Sequence, residues 1–429
     1  MATTPSHIVQ RRIEPVLRRA LDTFRIVVLG GPRQSGKTTL ARQIVNGGTF
    51  LSLDDPTELE LAAKDPIGFI ADRRRPVVID EIQRGGDDLV RAIKLAVDDD
   101  LAPGSFLLTG SADFLTVPVL SESLAGRAVF FNLSPFSAVE LHAEADGLLA
   151  RLCAGGGTRA ALATAISDLL DAPPSVLSRS DYAERICRGG YPEALDLSDA
   201  DRVRWFESYI LTSVTRDIVE TTGARRSIEL PRLLRAVAAR TSTELVLADL
   251  HRDLGFGRVE TTADYLSHLE MVHLVTRLGS WASSTATQTK RRPKVMVTDS
   301  GLAAAMLGVD AQRLADLGEP SRGPLYETYA VNELRRQAAA LDEPLRLHHF
   351  RDSRGREIDL LIERLDGRLI AVEVKAGATV RPSDAKWMAW LRDAAGDRFE
   401  VGIVLHAGRR PLRISDRIVA LPMSFLWET

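Results

Sequence analysis

Cysteine is almost missing from these 429 residues. Only Cys153 and Cys187 occur, without metal-type spacing, so neither a disulfide framework nor a cysteine-based zinc site is expected. Lysine is scarce as well. Seven lysines stand beside 48 arginines, so the position of each lysine carries information. No apolar run approaches the roughly 18 residues of a membrane span, and Met1 to Gln10 lacks the apolar centre of a secretory signal. A cytoplasmic protein with no membrane partner is expected. Charge of one sign is lacking too. The net charge is −3, and basic against acidic residues number 18 to 22 over 1–177, 20 to 20 over 178–324 and 17 to 16 over 325–429. Bulk charge therefore gives no argument for nucleic acid, and any such argument rests on local patches.

What is present begins with Gly31-Pro32-Arg33-Gln34-Ser35-Gly36-Lys37-Thr38-Thr39, a complete G-x-x-x-x-G-K-T phosphate loop after the apolar run Ile26-Val27-Val28-Leu29. A strand feeding a glycine turn and then a helix lines backbone N–H groups around a polyphosphate. Gly31, Gln34, Ser35, Gly36, Lys37, Thr38 and Thr39 are thus expected to bind ATP, with Lys37 on the outer phosphates and Thr38 on Mg²⁺. The run Pro76 to Glu81 reads as a short buried strand ending in two carboxylates. Asp80 is expected to hold Mg²⁺ through water and Glu81 to polarise the attacking water, a hydrolase arrangement. A third strand, Ser105 to Ser111, brings Ser111 either to the γ-phosphate or merely into a turn after Gly110.

Length predicts two or three domains. Residues 1–145 alternate strands and helices, which predicts an α/β core with a mostly parallel sheet. Residues 146–177, with Gly155-Gly156-Gly157 and Pro173-Pro174, read as a helix-containing linker or insertion. Residues 178–319 are mainly helical and close with the rhythm of a winged helix: a helix from Val246, a turn at Gly255-Phe256-Gly257, a helix from Val259 to Met271, then strands at 274–278 and 294–298. The basic wing Lys290-Arg291-Arg292-Pro293-Lys294 suits phosphate contacts with DNA, in which Lys290, Arg291, Arg292 and Lys294 fix register without reading bases. The alternative is a solvated loop in a domain that only joins others.

Residues 320–429 carry a second chemical pattern. Asp359 lies on one expected strand, and Glu373 and Lys375 on the next, where a period of two puts the latter pair on one face. Two carboxylates for Mg²⁺, with Mn²⁺ as a substitute, and one ammonium are the equipment of metal-assisted phosphodiester hydrolysis. Glu327 or Glu333 would complete it from a helix. They are six positions apart, hence on different faces, and Glu327 is preferred because it lies nearer the Gly323-Pro324 entry.

Together these stretches, with Leu108-Thr109-Gly110-Ser111, Ser123 to Arg127, Gly189-Gly190-Tyr191-Pro192, Thr298 to Leu302 and Arg356 to Asp359, resemble the AAA-type P-loop ATPases fused to a DUF4143-type C-terminal region. The resemblance covers nearly the whole chain. It implies an ATPase core, a helical and winged-helix middle, and a C-terminal domain similar to the PD-(D/E)xK nucleases. It also implies a homo-oligomer, a hexameric ring with ATP at subunit interfaces, in which Arg127 is the candidate for stabilising transition-state charge in the neighbouring subunit. The expected function is ATP-dependent processing of DNA, branched or end-containing, with a metal-dependent nuclease domain. The alternative is an ATPase switch that binds a protein partner and keeps a degenerate nuclease fold for docking.

Overall fold

The computed structural model describes residues 9–111, 124–142, 145–214, 229–282 and 291–429. They form two compact units, the first built mainly on Met1–Phe136 and Ser267–Leu274, the second on Ser137–Leu211, Ile228–Leu266 and Val275–Thr429.

The first unit is a five-stranded sheet in the order β2-β3-β4-β1-β5, with β1 Ile26–Gly30, β2 Thr49–Ser52, β3 Val77–Asp80, β4 Phe106–Thr109 and β5 Ala128–Asn132. Every neighbouring pair is parallel. Such a sheet must be covered on both faces, and β1 shows how the sequence does it. Ile26 and Val28 join the apolar cluster that includes Ile79, Leu89, Ile93 and Leu108. Val27 and Leu29, pointing the other way, join Leu17, Leu21, Leu40 and Ile44. The helix Gly86–Asp99 buries Leu89, Val90, Ala92, Ile93 and Val97, a stripe at helical spacing, and carries Asp87 and Asp88 in its first turn, where the helix dipole favours negative charge. This α/β architecture with a parallel sheet is that of a P-loop AAA core.

The second unit contains two sheets. The smaller has the order β6-β8-β7, formed by Thr243–Glu244, Lys294–Val297 and Val275–Leu278, all antiparallel, so β8 is its central strand. Helices Leu247–Leu254 and Val259–Met271 precede β7, and the first of them stops at Gly255, whose left-handed φ of +68° ends a helix without strain. The larger sheet has the order β13-β14-β12-β11-β10-β9, from Leu412–Ser415, Ile418–Pro422, Phe399–His406, Leu369–Lys375, Glu357–Glu363 and Arg346–Arg351. Its middle is mixed: β10 runs antiparallel to β11, whereas β11, β12 and β14 are parallel. The helix Lys386–Ala395 sends Met388 and Leu391 into a core with Leu361, Ala371 and Val404. The long helix Arg322–Ala339 packs near β11.

Residues 146–177 are tied into the second unit rather than standing off as a linker. Leu149 N–H donates to Gln337 Oε1 at 2.9 Å, Arg364 donates to the Leu152 carbonyl at 3.2 Å, and Ser175 N–H donates to the Arg409 carbonyl at 2.7 Å. Nearby, Trp427 is buried, with His142 stacked on it at 5.8 Å and the rings of Tyr182 and Tyr329 set edge-on. Among the described residues no helix is long and apolar enough to cross a membrane.

Candidate functional site

The C-terminal ends of β1, β3 and β4 bring one polar cluster together in the first unit. Gly31 follows β1 with a φ of +147°, and an added Cβ would stand 2.3 Å from the Leu133 carbonyl oxygen, so only glycine lets the loop leave the strand here. Gln34 is in the left-handed region at φ 58°, and Gly36, at φ 96°, opens the helix Lys37–Ile44. Ser35 is fully buried, and Lys37 nearly so. The Lys37 ammonium donates to the carbonyls of Gly31 at 2.8 Å and Pro32 at 2.9 Å, so it spans the mouth of its own loop. Thr38 Oγ1 donates to both oxygens of Asp80, at 3.2 and 3.0 Å. Thr109 also donates to Asp80 from β4. Thr39 and Gln34 are on the exposed side of the loop.

Glu81, like Gln34, has a left-handed backbone. Its backbone has φ 56° and ψ 45°, left-handed for a residue with a Cβ, at a cost of roughly 1–3 kcal/mol, and such outliers cluster at functional positions. Burial raises its pKa above the ordinary 4.5, and the Lys37 ammonium and the Gln83 amide only partly offset that. Gln83 Nε2 donates to Glu81 Oε2 and makes a long contact of 3.4 Å with Ser111 Oγ. Glu81, Gln83 and Ser111 thus form a connected line from β3 to β4. Neither Gln83 nor Thr109 was visible as a site residue from spacing. Arg11 was not either: it donates to the Ser35 carbonyl at 2.9 Å and the Ser134 carbonyl at 2.5 Å, clamping the phosphate loop from 24 positions upstream.

These residues fit ATP with Mg²⁺. The loop is one that a Cβ would fill, and Thr38 with Asp80 offers a hydroxyl and a carboxylate, the oxygen ligands that Mg²⁺ prefers. Arg127 lies elsewhere, just before the N-terminal end of β5, while the loop leaves the C-terminal end of β1 beside it. Its guanidinium holds Asp98 with two bonds, of 2.6 and 2.8 Å.

A second polar cluster is buried in the second unit, and its centre is Lys294. The ammonium lies 2.7 Å from Glu327 Oε1, 3.0 Å from Glu357 Oε1 and 3.3 Å from Asp359 Oδ1, and the side chain is 1% exposed. Burial alone would lower the pKa of Lys294, but the charges of Asp359, Glu327 and Glu357 outweigh it and hold the group protonated. Asp359 uses its other oxygen to accept the Val374 N–H at 2.9 Å. Glu373 takes the Lys375 ammonium at 2.7 Å, and its pKa is pushed up by burial and by the charge of Asp359. Glu327 likewise sits well above the ordinary range, through burial and then Asp359. Glu333 is turned elsewhere, accepting the Ala138 N–H at 2.7 Å and the Arg336 guanidinium at 2.7 Å.

This corrects the assignment of Lys294 to a DNA-contacting wing. It is the first residue of a central strand, and a buried ammonium amid carboxylates cannot reach a phosphate in solution. Arg291 is also engaged, donating to the carbonyls of Trp281 at 3.1 Å and Arg351 at 3.0 Å. Arg292 is exposed, and Lys290 lies outside the described residues. In the expected metal pair, Asp359 and Glu373, the Glu373 carboxylate accepts from the Lys375 ammonium. Among the described residues no group of three or more His, Cys, Asp or Glu side chains could hold an ion, and the cation facing Asp359 is Lys294.

Residues 23–142 match the family described as "AAA domain", residues 179–313 a domain of unknown function, DUF8612, and residues 322–426 another, DUF4143. The chain is 30% identical over 417 residues to "Uncharacterized protein Rv2008c" of Mycobacterium tuberculosis, covering 96% of this chain and 83% of the relative. The same figures hold for "Uncharacterized protein Mb2031c" of Mycobacterium bovis. Among solved structures, Thermotoga maritima RuvB T158V is 20% identical, over 62% of this chain and 86% of that one, with a TM-score of 0.28. The Drosophila ORC bound to DNA is 11% identical, over 72% and 89%, with a TM-score of 0.22. Those two similarities are too slight to bear on function.

Proposed function

The chain belongs to the family of AAA-domain, DUF4143-bearing proteins that includes Rv2008c, and from that premise we propose that it is a Mg²⁺-dependent ATPase switch whose C-terminal part is a nuclease-like fold used for docking. The observation that carries the ATPase reading is the convergence of Lys37, Thr38, Asp80 and Glu81 at the C-terminal ends of β1 and β3, which flank β4. Mg²⁺, held by Thr38 and by Asp80 through water, would neutralise charge on the transferring phosphoryl group. Lys37 exchanges the carbonyls of Gly31 and Pro32 for phosphate oxygens. Glu81, made more basic by burial, orients a water and takes up its proton, and Gln83 fixes the carboxylate and relays its position to Ser111.

Assembly into a ring, a hexamer by analogy with AAA proteins, is part of the same reading. Arg127 precedes β5 at the end of the sheet away from the phosphate loop, so its place suits an active site on the neighbouring copy. Mixing Arg127→Ala with Lys37→Ala protein should recover a measurable fraction of ATPase activity, because some interfaces then pair an intact loop with an intact arginine. Zero activity in mixtures with demonstrated subunit exchange would assign Arg127 to the Asp98 ion pair alone.

Division of the chain at 1–145, 146–177, 178–319 and 320–429 goes with this reading, the third part being winged-helix-like and the last similar in strand arrangement to PD-(D/E)xK nucleases. Docking is preferred to cutting because the Lys294 ammonium stands against Glu327 and Asp359, two of the carboxylates that cleavage would use. A second reading, DNA as the docked partner, is favoured by exposed Arg292 beside Lys290. ATPase assays with single-stranded, duplex and four-way-junction DNA separate the two. Stimulation of about threefold or more that declines with salt supports DNA; an unchanged rate with every DNA leaves a protein partner.

A further inference from the structure

A sheet with Asp359 on β10 and Glu373 and Lys375 on β11 implies a divalent metal between the carboxylates, and the residues present do not fit one. Three carboxylates, from Glu327 on the long helix and Glu357 and Asp359 on β10, surround a single point, and that point is the Nζ of Lys294. Both Asp359 oxygens are already engaged, one by Lys294 and the other by the Val374 N–H. Glu373 is taken by Lys375. A divalent ion there would stand within a few ångströms of an ammonium, and like charges so close inside a protein repel by several kcal/mol even at an effective dielectric constant of 20. Retreat of the lysine is opposed by its backbone. Lys294 pairs with Glu244 on one side and Leu278 on the other, so its Cα is fixed in the centre of a three-stranded sheet.

We infer that the Lys294 ammonium is the resident cation of this site and that wild-type protein binds no Mg²⁺ or Mn²⁺ there. The carboxylates then have a mechanical task. One buried lysine joins β8 of the small sheet, the helix Arg322–Ala339 and β10 of the large sheet, all within the second unit. Removing the ammonium leaves three carboxylates without their counter-charge, free to turn their oxygens toward a hard divalent ion although they do not stand as its ligands now.

The inference rests on the nuclease-like reading of the C-terminal sheet, and the test keeps the two apart. Mn²⁺ binding is titrated by calorimetry and by electron paramagnetic resonance on nucleotide-free wild type, Lys294→Met, Asp359→Asn and the double variant K294M/E327Q. The expected result is no saturable site in wild type that depends on Asp359, at least tenfold tighter Mn²⁺ binding in Lys294→Met, and loss of that gain in the double variant. A wild-type Mn²⁺ site abolished by Asp359→Asn would overturn the inference while keeping the nuclease-like reading. A folded Lys294→Met that gains no site would overturn both. Should Lys294→Met fold only when Mn²⁺ is supplied, the metal has replaced the ammonium and the inference stands; should it not fold at all, the wild-type titration decides alone.

Discussion

Lys37→Ala should abolish ATP binding, while Glu81→Gln should bind ATP-Mg²⁺ with near-normal affinity and hydrolyse it at least about a hundredfold more slowly. The two losses differ because the side chains act at different stages. The Lys37 ammonium is seated across the loop mouth, on the Gly31 and Pro32 carbonyls, so its removal deletes a direct attraction for phosphate. Glu81 accepts from Gln83, and an amide in its place keeps the shape while losing the base. Fluorescent-nucleotide binding and steady-state phosphate release check the pair. Hydrolysis by Glu81→Gln at a rate near wild type would remove that residue from the chemistry. A pH profile adds a sign: burial raises the pKa of Glu81, so the acid limb of the rate should fall above the ordinary glutamate value of 4.5.

The largest stability effect is expected at Asp299, in the stretch Thr298-Asp299-Ser300-Gly301-Leu302. Its carboxylate is fully buried and answers three donors: the Leu302 N–H at 3.0 Å, the Gly190 N–H at 2.9 Å and Arg336 at 3.4 Å. One bond caps the helix Ser300–Leu307, another anchors the turn at Gly189-Gly190, and the third helps balance a buried guanidinium shared with Glu333. Asp299→Ala strands all three and should cost about 3–5 kcal/mol, the range for breaking a buried pair. Asp299→Asn keeps the shape and an acceptor, and should cost less. Gly189→Ala should be comparably harmful, because the added Cβ would lie 2.3 Å from Asp299 Oδ1 and the backbone is left-handed there. Scanning calorimetry of the transition of the second unit measures each. A shift of under 2 °C for Asp299→Ala would contradict this account.

These positions show which parts of the molecule could be read in advance. The phosphate loop is local: its glycines, lysine and threonine are consecutive, so a strand and a helix on either side are enough to assign it. Glu327 and Glu333 could be told apart in principle, since six residues of helix turn them to different faces, but which face meets Asp359 depends on how the helix lies on β11. Lys294 was misread for a physical reason. It closes a run of basic residues that looks like solvated chain, yet Pro293 immediately before it marks the start of a strand, and a central strand has no solvent side for its inward residues. Arg11 and Gln83 gave no signal, because a guanidinium reaching a backbone carbonyl, or an amide reaching a carboxylate, follows no spacing rule. In the C-terminal sheet the alternation of side chains was legible, whereas the identity of the charge that balances Asp359 was not.

Trp427 sets an order of events during synthesis. Its ring is packed by His142, Tyr182 and Tyr329, and the N–H of Ser424, three positions before it, donates to the Tyr182 hydroxyl across 242 residues of sequence. At the usual 5–20 residues per second of translation, Tyr182 therefore leaves the ribosome roughly 10–50 s before the residues that cover it are made. The parallel strands of the first unit all lie before residue 133 and need not wait. Nascent chains of the second unit thus hold Tyr182 without these partners for that interval, and slowing elongation late in the message should raise their capture by chaperones more than their final instability would suggest.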